Sequence, residues 1–239
     1  MAGVAVGAIV LTAVAASASP QACSSGHAQV ADGRYEIRAG NFGGPLTISH
    51  HGDGPHFTVR SSTAFDGRVR AFPNIFIGCS WGICSRGHRY PELVAHVNNP
   101  AVTWRTSRPR GGFYNTALDI WYARHRIITG QAAGAEIMIW LNERGFGSIS
   151  STRIARIDGY RFHVIHWTTS GHGKHWNYIQ YRLVSFRNNI SYLRIRPFMA
   201  DAERHGLLSS KWYMLNIEAG FEIVSGGKRL STSYFWAQS

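Results

Sequence analysis

A two-sheet antiparallel β-sandwich is the fold class this sequence predicts, and three observations carry that reading. Short alternating runs rich in β-branched and aromatic residues recur along the chain. Gly, Asn, Asp and Pro separate them, as in Asp53-Gly54-Pro55 and Ser225-Gly226-Gly227. A single segment reads as helix. Many strands with one helix leave sheet packed on sheet as the way to bury a core.

The 239 residues suit one all-β domain. The first fully charged residue is Asp32, and before it residues 4–18 form an apolar run of signal-peptide length. Ala16-Ser17-Ala18 is a small-residue cleavage pattern, although no Lys or Arg precedes the run. Residues 1–22 are therefore expected to be a leader, residues 23–34 a short linker and residues 35–239 the folded domain. Export to the extracellular space follows as an expectation. No later stretch is long and apolar enough for a spanning helix, so no membrane insertion is expected.

Within the domain, alternation predicts strands over residues 35–38, 57–60, 102–106, 115–122 and 135–141. Further runs cover residues 161–168, 178–186, 212–217 and 231–236. Residues 197–205 predict the helix, with Pro197 at its start and Gly206 after its end.

The net charge is +12, yet Lys and Arg are dispersed and form no run of five. This reads as a solvated basic surface rather than a nucleic-acid interface, and a monomer is expected. Of the three cysteines, Cys79 and Cys84 flank Ser80-Trp81-Gly82-Ile83, a loop that a disulfide could staple. Cys23 has no evident partner and falls in a segment expected to be unstructured.

The acids carry the chemistry. The chain has only 13 Asp and Glu residues, yet several interrupt apolar strand patterns, where an acid is costly unless used or paired. In residues 135–141, Glu136, Met138 and Trp140 share one face, and Ala135, Ile137, Ile139 and Leu141 share an apolar one. Glu136 thus faces away from the core beside an indole, on a surface suited to sugar rings. Asp119 and Trp121 likewise share a face, and Asp119 could hydrogen-bond Glu136 if their strands are neighbours. Near the C-terminus Glu218, Gly220 and Glu222 have the same parity. Gly220 would let something approach the backbone closely. Two carboxylates in one cleft are the minimal machinery for glycoside hydrolysis, and spacing leaves open which of Glu218 and Glu222 gives the proton.

Rival sites are weaker. His163 and His166 point to opposite strand faces and make a poor chelate, while His172 and His175 sit in a probable turn. No phosphate loop, dinucleotide fingerprint or Gly-x-Ser-x-Gly is present, so no cofactor or metal is expected.

These motifs resemble glycoside hydrolase family 12, the small β-jelly-roll endoglucanases. The likeness spans roughly residues 35–236, and its pieces occur in the family's order. Phe72-Pro73-Asn74-Ile75-Phe76-Ile77-Gly78-Cys79, with Cys84, is similar to its aromatic-Pro-Asn segment. Residues 114–121 resemble the strand of the assisting Asp. Glu136-Ile137-Met138-Ile139-Trp140 resembles the nucleophile strand, and Ala219-Gly220-Phe221-Glu222 the acid/base strand. The resemblance implies a jelly roll with a concave cleft and a retaining endo-hydrolase of β-1,4-glucan. It implies Glu136 as nucleophile, Glu222 as general acid/base and Asp119 orienting Glu136. Phe42, Trp121, Met138 and Trp140 are the expected sugar contacts, Phe42 standing where the family has a stacking Trp. Gln often replaces Glu218 in the family, so Glu218→Gln is expected to be mild. Xyloglucan or mixed-linkage glucan, or a binding-only jelly roll with decayed hydrolysis, remain alternatives.

Overall fold

A computed structural model describes residues 21–23, 26–43, 46–64, 66–148 and 150–239. Most of the expected leader lies outside the described residues.

Two sheets face each other. The larger runs Arg153–Ile157, Tyr160–Gly171, Lys174–Leu183, Ala135–Arg144, Phe113–Ala123, Asn216–Gly220, Asn74–Ser80, Tyr35–Arg38, His27–Val30. The smaller runs Gln21–Cys23, Ile48–His50, Phe57–Val59, Ser231–Ala237, Ala101–Ser107, Asn189–Arg194. The sandwich reading therefore holds. One pairing departs from it: Ala135–Arg144 runs parallel to Lys174–Leu183, a join that needs the intervening hairpin as its crossover.

Alternation places the core. Ile37, Ile75, Ile77, Leu118, Ile120, Ile137, Ile139, Ile179 and Ile217 point from the larger sheet to the smaller one, and all are essentially buried. Trp104, Phe57 and Phe235 answer from the other sheet, with Phe221 packed between Trp104 and Phe57 at ring distances of 5.8 and 5.9 Å. A fully buried side chain of this size contributes about 1.5–3 kcal/mol, so this layer dominates stability. Because the middle of this layer is apolar, Asp119, Glu136 and Glu218 are sorted to the opposite face of the larger sheet.

The helix is Arg196–Arg204, with Pro197 in its first turn and Gly206 at φ +70° beyond its end. Phe198 anchors it, 5.1 Å from both the Phe162 and Tyr181 rings. Several boundaries differ from expectation. Residues 27–30, read as linker, form the edge strand of the larger sheet; their mix of polar and small residues hid the alternation. Cys23 pairs through its backbone with Ile48, so it lies in a strand rather than an unstructured segment. The run at residues 212–217 is broken at Leu215, whose carbonyl turns aside to accept from the Cys79 amide. The strand placed at residues 178–186 lies at Lys174–Leu183. Cys79 and Cys84 are disulfide-bonded, with their Cα atoms 4.1 Å apart.

Candidate active site

The open face of the larger sheet is the floor of a cleft, and strand register decides who meets whom. Phe113–Ala123 lies between Ala135–Arg144 and Asn216–Gly220. On one side Trp121 sits opposite Glu136 and Asp119 opposite Met138; on the other, Asp119 sits opposite Glu218. Glu136 and Asp119 are therefore diagonal neighbours, the next-nearest positions on one sheet face. Parity and topology together place three acids side by side.

Glu222 joins them from just past Gly220. The strand ends there, and the chain is held to its neighbour by a reciprocal clasp. Asn115 accepts from the Glu222 amide at 3.1 Å and donates to Glu222 Oε2, and the Asn115 amide donates to the Glu222 carbonyl at 3.0 Å. Phe221 turns into the core, which turns Glu222 toward the cleft. At Gly220 an added Cβ would stand 2.6 Å from the Pro73 carbonyl oxygen, so the close approach expected there is made by the adjacent chain.

Each acid has its own partners. Glu136 is buried and accepts from Trp176 Nε1–H at 2.6 Å. Asp119 accepts from Trp121 Nε1–H at 2.9 Å through Oδ2, while its Oδ1 has no partner. The expected Asp119–Glu136 hydrogen bond is thus absent; the diagonal register leaves the two acting on each other through charge. Glu218 accepts from Arg38 at 2.9 Å, Asn74 at 2.8 Å and Asn216 at 2.9 Å. With its oxygens consumed, Glu218 is a buried structural acid.

Burial in the cleft floor is the main cause of the site's unusual titration. It pushes Asp119 well above the ordinary carboxyl range, and the charges of Glu136, Glu218 and Glu222 push the same way. Glu136 is raised to about 8 by burial and by Glu222 and Glu218, against the pull of Trp176. Glu222 is raised to about 7 by burial, with Asn115 opposing. These carboxyls cannot all ionise at neutral pH. Between Glu136 and Glu222 the shifts alone favour ionising Glu222, and the Trp176 indole N–H is the contact that favours ionising Glu136.

Beside the acids a hollow of about 520 Å³ is lined by Asp119, Trp121, Phe42, Phe72, Trp81 and His172, among others. Phe42 is 65% exposed, and Trp121 is partly exposed and packed 5.5 Å from Trp176. Both therefore present ring surface to solvent. Met138 and Trp140 do not: both are buried, Met138 beneath the Tyr178 hydroxyl at 3.2 Å and Trp140 beneath Phe146 at 4.7 Å. They face the cleft but form its subfloor, because side chains from other segments cover them. Sequence reasoning missed Trp176, Asn115, Asn74 and Arg38, whose roles depend on pairing across distant strands. His172, expected as a solvated loop residue, is exposed in the turn after Gly171. That ring packs 5.1 Å from Trp81 of the disulfide loop, so the two bridge the wall of the hollow. The offset of the hairpin turn from the disulfide loop carried no local signal.

Glu218→Gln, expected to be mild, acquires a different reading. The variant removes the partner of Arg38 and turns an amide N–H₂ toward donor groups. The relief it gives Asp119 is small, because burial already favours the neutral form there. We expect a loss of about 1–3 kcal/mol, read as a lower melting temperature, with the remaining folded protein still active. A melting temperature equal to that of the parent would remove this structural role.

The model of glycosyl hydrolase family 12 matches residues 78–238. A metagenome-derived glycoside hydrolase family 12 endoglucanase is similar in structure at 29% identity, covering 92% of this chain and 96% of that one, with a TM-score of 0.83. An endoglucanase from Rhodothermus marinus is similar at 28% identity, covering 92% and 98%, also with a TM-score of 0.83. A family 12 xyloglucanase from Bacillus licheniformis shares the fold at 23% identity, covering 92% and 99%, with a TM-score of 0.82. None of the curated proteins matches the chain.

Proposed function

The chain belongs to glycosyl hydrolase family 12, and from that membership we propose that it is a retaining, endo-acting hydrolase of β-1,4-glucan. The observation that carries the proposal is the gathering of Glu136, Asp119 and Glu222 on one cleft floor, each with different partners. Glu136, favoured as the anion by Trp176, attacks the anomeric carbon. The leaving oxygen takes the proton of Glu222, and a glycosyl ester forms on Glu136. Glu222, now ionised, draws a proton from water, which attacks the ester and frees both product and enzyme. Such a double displacement needs carboxyl groups roughly 5–5.5 Å apart. Asp119, held neutral by burial and fixed by Trp121, spares Glu136 a second negative charge. Phe42 and Trp121 offer faces to the sugars. The reaction uses side chains alone.

Action on glucan rather than xyloglucan is supported by the two endoglucanases similar at 29% and 28% identity. Reducing-sugar release from cellulose, mixed-linkage glucan and xyloglucan tests it. Fastest release from an unbranched β-1,4-glucan is expected; release from xyloglucan alone would overturn the substrate. We also propose that the protein is secreted, a reading supported by the apolar run before Asp32 and by the disulfide.

The raised Glu222 links activity and stability to pH. Its folded value lies near 7, above the ordinary carboxyl value of the unfolded chain. A raised carboxyl leaves stability intact below the unfolded value and costs stability as pH rises through the folded one. Glu222→Gln should therefore match the parent in melting temperature at acidic pH and exceed it, by a few degrees at most, above about pH 7. In the parent kcat/KM should fall on the alkaline side as Glu222 loses its proton. A gap that widens toward acid would contradict the assignment.

A further inference from the structure

On the side opposite the cleft, the smaller sheet displays aromatic rings to solvent. Ala101–Ser107 lies between Asn189–Arg194 and Ser231–Ala237. Its inward residues pack Trp104, Phe235, Ile190 and Leu193 into the core. Facing outward, Trp236 sits opposite Thr103 and Tyr234 opposite Arg105. Tyr192 leans in from the other neighbour, its amide held by Thr103 Oγ1 at 3.0 Å. The rings of Tyr192 and Trp236 are near-parallel, 23° apart, with centroids 5.9 Å from each other. Tyr192 is 53% exposed and Tyr234 41%.

The backbone is distorted to make this display. Both flanking strands slip register here, between Ile190 and Leu193 and between Thr232 and Tyr234. Bulges of this kind re-aim side chains. At the first, Tyr192 takes φ +53°, a conformation that glycine adopts freely and a bulky residue avoids. Strain of this sort persists where a side chain is put to use. The Tyr192 hydroxyl reaches only a long 3.5 Å contact with Gln238, so the ring has little structural return on its own hydroxyl.

We propose that Tyr192, Trp236 and Tyr234 form a second carbohydrate-binding surface, distinct from the cleft, that holds a neutral β-glucan chain by stacking. Pyranose rings present C–H groups to the electron-rich faces of aromatic rings. Charge points to a neutral ligand, because the two arginines beside these rings already have partners. Arg194 Nε donates to Asp158 at 2.6 Å, and the Arg105 guanidinium lies 5.6 Å from the Tyr234 ring centroid. A surface for nucleic acid would leave such cations free for phosphate. The choice of β-glucan rests on the function proposed above; the stacking surface does not. An enzyme cutting an insoluble polymer gains from it by staying on the substrate while the cleft releases product.

The test uses Glu136→Gln protein, which does not consume the polymer, and phosphoric-acid-swollen cellulose as the probe. In that background Tyr192→Gly and Trp236→Ala should each weaken partitioning onto cellulose about fivefold or more, as expected for loss of one stacking ring. Binding should be unchanged between low and high salt. Cleavage of a small aryl cellobioside by the same changes in active enzyme reports the cleft alone and should stay close to the parent. Tyr192→Gly should melt no lower than the parent, since glycine relieves the positive φ; a clearly lower melting temperature would mean the ring is packed rather than displayed, and would overturn the proposal. So would parent-like partitioning of both variants, or no binding by the Glu136→Gln protein. Salt-sensitive binding displaced by a single-stranded oligonucleotide would overturn it in favour of nucleic acid. If the active enzyme releases no sugar from cellulose while the variants still lose binding, the proposed function fails and the surface stands.

Discussion

Glu136→Gln should remove turnover of β-glucan by on the order of a hundredfold or more, while oligosaccharide binding persists. The amide keeps the shape of the side chain and can still accept from Trp176 Nε1–H, so the cleft stays formed. What it loses is the nucleophile: a neutral amide oxygen cannot open the path through a glycosyl ester. A hundredfold loss corresponds to about 2.7 kcal/mol of barrier, well within what a covalent step supplies. Phe42 and Trp121, the proposed sugar contacts, line the hollow and are not touched by the change. Activity within about threefold of the parent would remove Glu136 from the mechanism.

Glu222→Ala should show a different signature. A general acid matters most when the leaving group is poor, because it supplies the proton that a departing alkoxide needs. Hydrolysis of unactivated glucan should collapse. The first step on an aryl glycoside with an acidic leaving group should survive, since that group departs without help. The glycosyl-enzyme would then wait, for lack of a base to activate water, and added azide should rescue turnover by attacking it directly. The cavity left by the side chain, next to Asn115, gives azide room. Glu218→Ala should show no azide rescue, because Glu218 is spent on Arg38, Asn74 and Asn216. Rescue in the Glu218 variant and not in the Glu222 variant would exchange their roles.

Where period-two alternation governs, the sequence was a good guide. Glu136 and Asp119 fall on the cleft face because the apolar residues between them must face the core, and that sorting needs no tertiary information. The same rule put Met138 and Trp140 on that face but could not show that they are covered there. Parity names the face but not what covers it, and their covers, Tyr178 and Phe146, come from elsewhere in the chain. Parity also could not separate Glu218 from Glu222. The difference lies in partners: Arg38 is 180 positions away from Glu218, and Asn115 is 107 from Glu222. Resemblance to the family supplied that choice, and the two acids differ in their hydrogen-bond partners. The edge strand at His27–Val30 escaped for the opposite reason, since a short strand with one buried face has too few apolar residues to show a period.

The most direct test of the mechanism is to trap its intermediate. A cellobiosyl fluoride whose hydroxyl beside the anomeric carbon is replaced by fluorine should react quickly, because fluoride leaves well, and then stall, because the fluorine disfavours the charge that must develop for the ester to be hydrolysed. Mass spectrometry of the digested protein should find the sugar on the peptide that carries Glu136, and should find none with Glu136→Gln. Absence of any adduct on active enzyme, or an adduct on Glu218 or Glu222, would contradict the retaining mechanism proposed for this site.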